Sequence, residues 1–397
     1  MLFTHKIMLH IVIKGAFQKA CRKEWDLAVK EGSGLIRGRS RHMFAGGNTS
    51  RGFFSYYNNI LRQEDANRIF ILKGGPGVGK STFMKTIADE MLERGYDVEY
   101  MHCSGDPNSL DAIVIPAIGV AMIDGTAPHV VDPKNPGAVD EIVNLGNYLN
   151  EDGMRLNKDK IIGYAGEKSK AYARAYRYLK AAECVYEVMA EIYKSASDNA
   201  WINVQAEEVK KELFGNTKIS SKEGRQRHLF ASAITPLGIR NYLPSLLTAK
   251  KTYLLSGSPG TGMDKFLENI RRASVERGFY TESYYCALQP ERLEHLIIPE
   301  IDAAFATVNE YHNADVEYYK KIDFSSKLNK KVIDAHAEEL EFGKGKFDEL
   351  LGRAIDAISK ARELHSHLEA YYIPNMDFRG VQKSLESILA RIFEYCV

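Results

Sequence analysis

The chain has 397 residues, 45% of them hydrophobic, enough apolar material to bury the cores of about two domains. Lys and Arg number 53 against 52 Asp and Glu, so no global field draws the chain to nucleic acid or acidic lipid. Five cysteines (Cys21, Cys103, Cys184, Cys286, Cys396) lack C-x-x-C spacing, which argues against a zinc site or disulfide framework and fits a reducing, cytoplasmic setting.

Residues 1 to about 35 read as an N-terminal extension. Its apolar run is short and interrupted by His10 and Lys14, so it makes neither a convincing export signal nor a membrane helix. An amphipathic helix is expected through Trp25 and Leu27. Next comes Arg41-His42-Met43-Phe44-Ala45, leading through Thr49 and Gly52 into a Tyr- and Asn-rich segment.

Then Ile69-Phe70-Ile71-Leu72-Lys73, an apolar β run, empties into Gly74-Gly75-Pro76-Gly77-Val78-Gly79-Lys80-Ser81-Thr82 and a helix. This is a full match to G-x-x-x-x-G-K-[ST] in the strand–loop–helix context that the pattern needs. Glycines let the backbone curl so that successive N–H groups point at phosphate oxygens, and the helix adds its positive end. Lys80 is placed to reach the β- and γ-phosphates, and the Ser81 hydroxyl to ligate a bridging Mg²⁺. The expected ligand is ATP, with GTP left open.

A second acidic group should hold the metal from the end of a neighbouring buried strand. Val120-Ala121-Met122-Ile123-Asp124 fits, so Asp124 is the expected acid, against the plainer reading of an aspartate opening a turn. Asp106 is the second choice, as a group that orients an attacking water or substrate hydroxyl. His129 reads as a γ-phosphate sensor or, more simply, a packing residue. Lys170, Arg174 and Arg177 share one helix face, either a lid over phosphates or a solvated surface.

The chain then repeats itself. Arg227, His228, Phe230, Ala231, Thr235 and Gly238 match Arg41, His42, Phe44, Ala45, Thr49 and Gly52, all at one constant spacing. The glycine loop recurs as Ser256-Gly257-Ser258-Pro259-Gly260-Thr261-Gly262-Met263-Asp264 after a short deletion in the second copy. CSGDPNSLDAIVIP from Cys103 recurs as CALQPERLEHLIIP from Cys286. In the second copy Met263, Asp264 and Thr307 stand opposite Lys80, Ser81 and Asp124. All three phosphate–metal groups are lost together, so the second loop is expected to keep its shape and bind triphosphate poorly.

Each half reads as strand, helix, strand, then a helical or irregular stretch, a third strand, and a long tyrosine-rich helical part in which Tyr193 and Tyr372 correspond. The fold expected is α/β: two tandem P-loop NTPase domains with parallel sheets flanked by helices on both faces, related by internal duplication, each with a helical appendage. The divisions are 1–35, 36–222 and 223–397. With its paired loops, RHMFAGGNTSRGF and MIDGTAPHVVDP, the sequence resembles a family of uncharacterised tandem P-loop ATPases from Gram-positive bacteria. That resemblance implies nucleotide binding at Lys80, Ser81 and Asp124 and brings no substrate; Met263 and Asp264 depart from its pattern.

The expected function is Mg²⁺-dependent ATP binding with slow hydrolysis at the first loop, the second half regulating it, with Arg227 or Arg240 as the group it would contribute. A small-molecule or nucleotide kinase and a non-catalytic sensor that binds a protein partner, or pairs as a homo-oligomer, are the alternatives.

Overall fold

The computed structural model describes residues 36–396 apart from His129 and Asn313. The extension over 1–35, with Cys21 and the helix expected through Trp25 and Leu27, lies outside the described residues, as does His129.

The first repeat opens with β1 (Ser40–Met43), β2 (Gly46–Thr49) and β3 (Gly52–Ser55). The glycine-rich loop stands between β4 (Arg68–Lys73) and α1 (Lys80–Glu93), and β5 (Val98–His102), β6 (Leu110–Ile115), β7 (Val120–Asp124) and β8 (Asp140–Asn144) follow. A short α2 (Glu151–Leu156) leads into α3 (Lys158–Ala196) and α4 (Asn199–Phe214). The second repeat runs β9 (Gln226–Leu229), β10 (Ser232–Thr235), β11 (Gly238–Asn241), α5 (Leu243–Leu246), β12 (Lys251–Ser256), α6 (Met263–Glu276), β13 (Thr281–Tyr285), β14 (Leu293–Ile298), β15 (Ala303–Val308) and β16 (Lys320–Asp323). It ends in α7 (Lys330–Ala335), α8 (Ala337–Tyr372) and α9 (Phe378–Phe393).

The two six-stranded sheets share one strand order, β1-β5-β6-β7-β4-β8 and β9-β13-β14-β15-β12-β16. β6 and β14 run antiparallel to both neighbours, and the remaining pairs are parallel. The fold is α/β as expected, with sheets that are mixed and mostly parallel. The stretch after Cys103, expected to be helical or irregular, contains strand β6. Ala112-Ile113-Val114-Ile115 is a β-branched run closed by Pro116, and the turn from β5 is too short for the crossover helix a parallel neighbour needs.

Side chains alternate across each strand, and the two faces meet different partners. Phe70, Leu72, Val120 and Met122 pack on the face that carries Phe83 and Ile87 of α1. Ile69, Ile71, Ala121 and Ile123 point the other way, into one cluster with Leu254, Ile297, Ala304 and Ala306 of the second sheet. Helices therefore cover one face of each sheet, and the opposite face, expected to carry helices too, meets its counterpart. Alanines on the inner face let the two sheets approach.

The helical appendages are exchanged between the repeats. Val381, Leu385, Ile388, Leu389 and Ile392 of α9, at the end of the second repeat, join the core of the first sheet, and Arg391 donates to Glu141 of β8 at 2.7 Å. Ile202, Ala206 and Val209 of α4, at the end of the first repeat, join Tyr253, Leu255 and Phe266 of the second. Connecting them, α3 and α8 run antiparallel, and small buried residues (Ala171, Ala175, Ala182; Ala354, Ala361) line the seam. At 39 residues α3 is about 58 Å long, enough to bridge one sheet to the other.

A four-stranded sheet, β11-β10-β2-β3, joins the repeats at their centre. Phe44 and Phe230 exchange both backbone hydrogen bonds, at 2.8 and 2.9 Å, and Asn48 pairs with Ile234. Both pairs join matching positions of the two repeats, so equivalent residues face one another as across a two-fold axis. Beside this axis Arg41 and Arg227 alternate with Glu99 and Glu282 in a buried ring: Arg41 to Glu99 at 2.8 Å, Arg227 to Glu99 at 2.7 Å, Arg41 to Glu282, and Arg227 to Glu282 at 3.7 Å. The repeated RHMFA and RHLFA segments thus build the junction between halves.

Candidate nucleotide site

β4 ends at Lys73, the loop turns over residues 74–79, and α1 begins at Lys80. Gly74, Gly77 and Gly79 take φ of 151°, 70° and 95°, conformations that side-chain-bearing residues rarely adopt. Lys80 Nζ donates to the carbonyls of Gly74 and Gly75 at 2.8 and 2.9 Å and lies 3.6 Å from Asp124 Oδ2. β7 pairs in parallel with β4, Leu72 opposite Asp124, which sets the carboxylate at the strand's carboxyl end beside the loop. The backbone N–H of Thr126 donates to Asp124 Oδ1 at 2.9 Å, and the Thr126 hydroxyl ties to Gly74 at 3.0 Å.

Ser81 opens α1 with its hydroxyl accepting from the Leu110 N–H at 3.1 Å. This bond fastens the helix start to the 103–110 loop, where Asp106 accepts from the Ser109 hydroxyl at 2.9 Å. Asp106 also pairs with Arg362 of α8 at 3.0 Å. Lys80, Ser81 and Asp124 are therefore brought together by β4, α1 and β7, and Asp106 lies on the adjoining loop. Val78 is buried in the sheet core, anchoring the loop from beneath.

α8 passes over this loop. A methyl at Gly75 would lie 2.2 Å from the Tyr372 ring, and one at Gly77 would lie 2.9 Å from the Ile373 side chain and 3.4 Å from that of Glu369. His365, farther back along α8, sits 3.4 Å from Lys168 of α3. Burial pushes the Lys168 ammonium down; Cys103 acts against this and the Lys80 charge adds to it. Sequence reasoning missed Arg362 and His365 as neighbours of the loop, since nothing local marks a helix of the second repeat as the roof of the first.

Residues singled out elsewhere are placed differently. Arg227 donates to Asn59 and Ile60 carbonyls at 2.8 and 2.7 Å within the buried ring, and Arg240 is exposed on β11. Lys170, Arg174 and Arg177 are exposed on α3, with Lys170 bridged to Glu167 at 2.8 Å, as a solvated face would be. Cys286 is a core thiol and Cys103 a half-buried one, and burial pushes both up, away from reactivity.

The second loop keeps the backbone and loses the chemistry. Gly260 and Gly262 repeat φ of 80° and 92°, and α6 is 14 residues long, as is α1. Met263 is buried against Phe266, Asp264 is exposed, and Thr307 is buried with its N–H donating to His295 Nδ1 at 3.2 Å. Among the described residues, the Lys–Ser–Asp grouping of the first loop has no second example.

A family model described as Nephrocystin 3, N-terminal, matches residues 53–114. The hemin import ATP-binding protein HmuV of Burkholderia lata is 32% identical over 110 residues, which is 27% of this chain and 40% of that protein. The chain thus spans about two-fifths of the length of this curated relative. No solved structure matches. The chain is α/β with a P-loop-like first half, and among the described residues no helix is long and apolar enough to cross a membrane.

Proposed function

We propose that the first repeat binds Mg²⁺-ATP and hydrolyses it slowly, and that the second repeat regulates this site without binding triphosphate. The observation that carries the reading is the convergence of Lys80, Ser81 and Asp124 on one glycine-rich loop, with Lys80 3.6 Å from Asp124, while all three are missing from the second loop. The similarity to an ATP-binding protein supports the choice of nucleotide.

The chain's own groups divide the work. Loop N–H groups and the start of α1 cradle the phosphates. Lys80 exchanges the Gly74 and Gly75 carbonyls for β- and γ-phosphate oxygens, a stronger charge-assisted contact. The Ser81 hydroxyl and the Asp124 carboxylate are hard oxygen donors suited to Mg²⁺, which prefers one or two carboxylates plus substrate phosphates over a closed protein cage. When bound, the metal neutralises charge developing on the phosphoryl oxygens. Asp106, at the mouth of the adjoining loop, is placed to orient the attacking water.

Calorimetric titration with Mg²⁺-ATP, paired with phosphate release, tests this on wild type, Lys80→Ala and Met263→Lys. One site that disappears in Lys80→Ala supports the reading. Two sites in wild type, or a site that survives Lys80→Ala, overturns the asymmetry; label appearing on a metabolite instead of free phosphate would make the protein a kinase.

A further inference from the structure

The second repeat reaches the first loop through α8, which brings Arg362 and His365 with it. The face of α8 over the loop carries Arg362, His365, Glu369 and Tyr372, spaced as one side of a helix. Tyr372 lies against Gly75, and Arg362 lies 3.0 Å from Asp106. About ten residues of helix, roughly 15 Å, thus stretch from the Asp106 loop to the phosphate loop. Lys168 meets the middle of this face from α3, 3.4 Å from His365.

The duplication supplies an internal control. In the helical parts the repeats align in a single register, in which the helix cap Asn150 falls on the helix cap Asn329 and Tyr193 falls on Tyr372. In that register Lys168 and His365 correspond to Phe347 and Tyr186, which are themselves in ring contact at 5.8 Å. The contact is kept in both repeats while its chemistry changes from basic to aromatic. Arg362 corresponds to Glu183, which is buried and paired with Arg51 at 2.5 Å. All three basic groups over the first loop are therefore absent over the second, and they are absent where Lys80, Ser81 and Asp124 are also absent.

We propose that Arg362, flanked by Lys168 and His365, is the group that the second repeat contributes to the first nucleotide site, where it binds the terminal phosphate of a triphosphate. Arg362 pairs with Asp106 at 3.0 Å, and an entering γ-phosphate takes the place of that carboxylate. Arg362 is one-third exposed, and its planar fork suits a phosphate oxygen pair. Regulation follows from geometry: α8 links the second repeat to the first loop, so a shift of α8 moves Arg362 relative to Lys80.

This inference rests on the proposed nucleotide site and is tested separately from it. The affinities of the full chain for Mg²⁺-ADP and for a non-hydrolysable Mg²⁺-ATP analogue are measured in wild type, Lys80→Ala, Arg362→Ala and Arg362→Lys, with urea unfolding curves as a check on folding. Arg362→Ala should weaken the analogue about tenfold or more, leave ADP within about twofold, and leave unfolding unchanged, with Arg362→Lys intermediate. Lys80→Ala should weaken both nucleotides. Wild type that binds neither nucleotide defeats the nucleotide site itself. Wild type that binds both, with an ATP-to-ADP ratio unmoved in Arg362→Ala, defeats the role of Arg362 alone.

Discussion

The buried ring at the junction makes a quantitative prediction. Glu99 and Glu282 are 4% and 5% exposed, Arg227 is 14% exposed, and the four charges sum to zero. Arg227→Ala removes one cation, leaves two carboxylates with Arg41 alone, and strips donors from the Asn59 and Ile60 carbonyls. An uncompensated buried charge of this kind costs about 3–5 kcal/mol, far above the roughly 0–1 kcal/mol of an exposed pair. Glu99→Gln in the same chain restores neutrality, so the double variant should be less destabilised than the two single variants together by at least about 1 kcal/mol. The assay is urea unfolding, which adds no ions, followed by tryptophan fluorescence and circular dichroism. A cost for Arg227→Ala below about 1 kcal/mol, or strict additivity in the double variant, would refute the view that this ring is a single buried electrostatic unit.

Further outcomes follow from other sites. Acid should destabilise the protein in two windows. Burial holds the His295 imidazole down to about 4, so stability falls as pH drops from about 6.5 toward 4, where the unfolded chain takes up the proton first. Burial alone would raise Glu282, but Arg41 and Arg227 hold it at about 2, so its contribution is present above about 4.5 and is lost between there and 2. Unfolding midpoints that are flat from pH 7 to 3 would contradict both. Gly260→Ala should destabilise by at least about 2 kcal/mol although its loop carries no phosphate groups, because a methyl there meets the Ala190 carbonyl oxygen at 2.0 Å and φ is +80°; a neutral result in thermal unfolding would refute it. Deleting residues 378–397 exposes the first sheet's core. At about 1.5–3 kcal/mol for each of five buried apolar side chains, the loss rivals the whole stability of a typical domain, so the truncated chain should aggregate, and a monodisperse, protease-resistant product would refute the exchange of helices.

Much of this architecture was legible in the sequence, for local reasons. The glycine pattern, the apolar β4 run and the helix after it are set by neighbouring residues, and α1 begins inside the motif, at Lys80. Asp124 at the end of Val120–Ile123 could be placed because a buried strand is an unbroken apolar run. β6 was missed, since a short apolar stretch after a Pro- and Ser-containing loop fits a strand or a buried helix equally well. The exchange of α4 and α9 was beyond reach: an amphipathic stripe shows that a face is buried but not against which sheet. Arg362 shares that fate, since its partner Asp106 belongs to the other repeat and no local pattern links the two.

Exchanged helices also set a timetable for synthesis. The first sheet and α1 leave the ribosome long before α9, the helix that closes their core, has been made. The stretch from Glu93 to Phe378 takes about 15–60 s to elongate at roughly 5–20 residues per second. Throughout that interval Phe83, Ile87 and Met91 lack their final cover, and the nascent first half is a client for chaperones or for the α9 of a neighbouring chain on the same message.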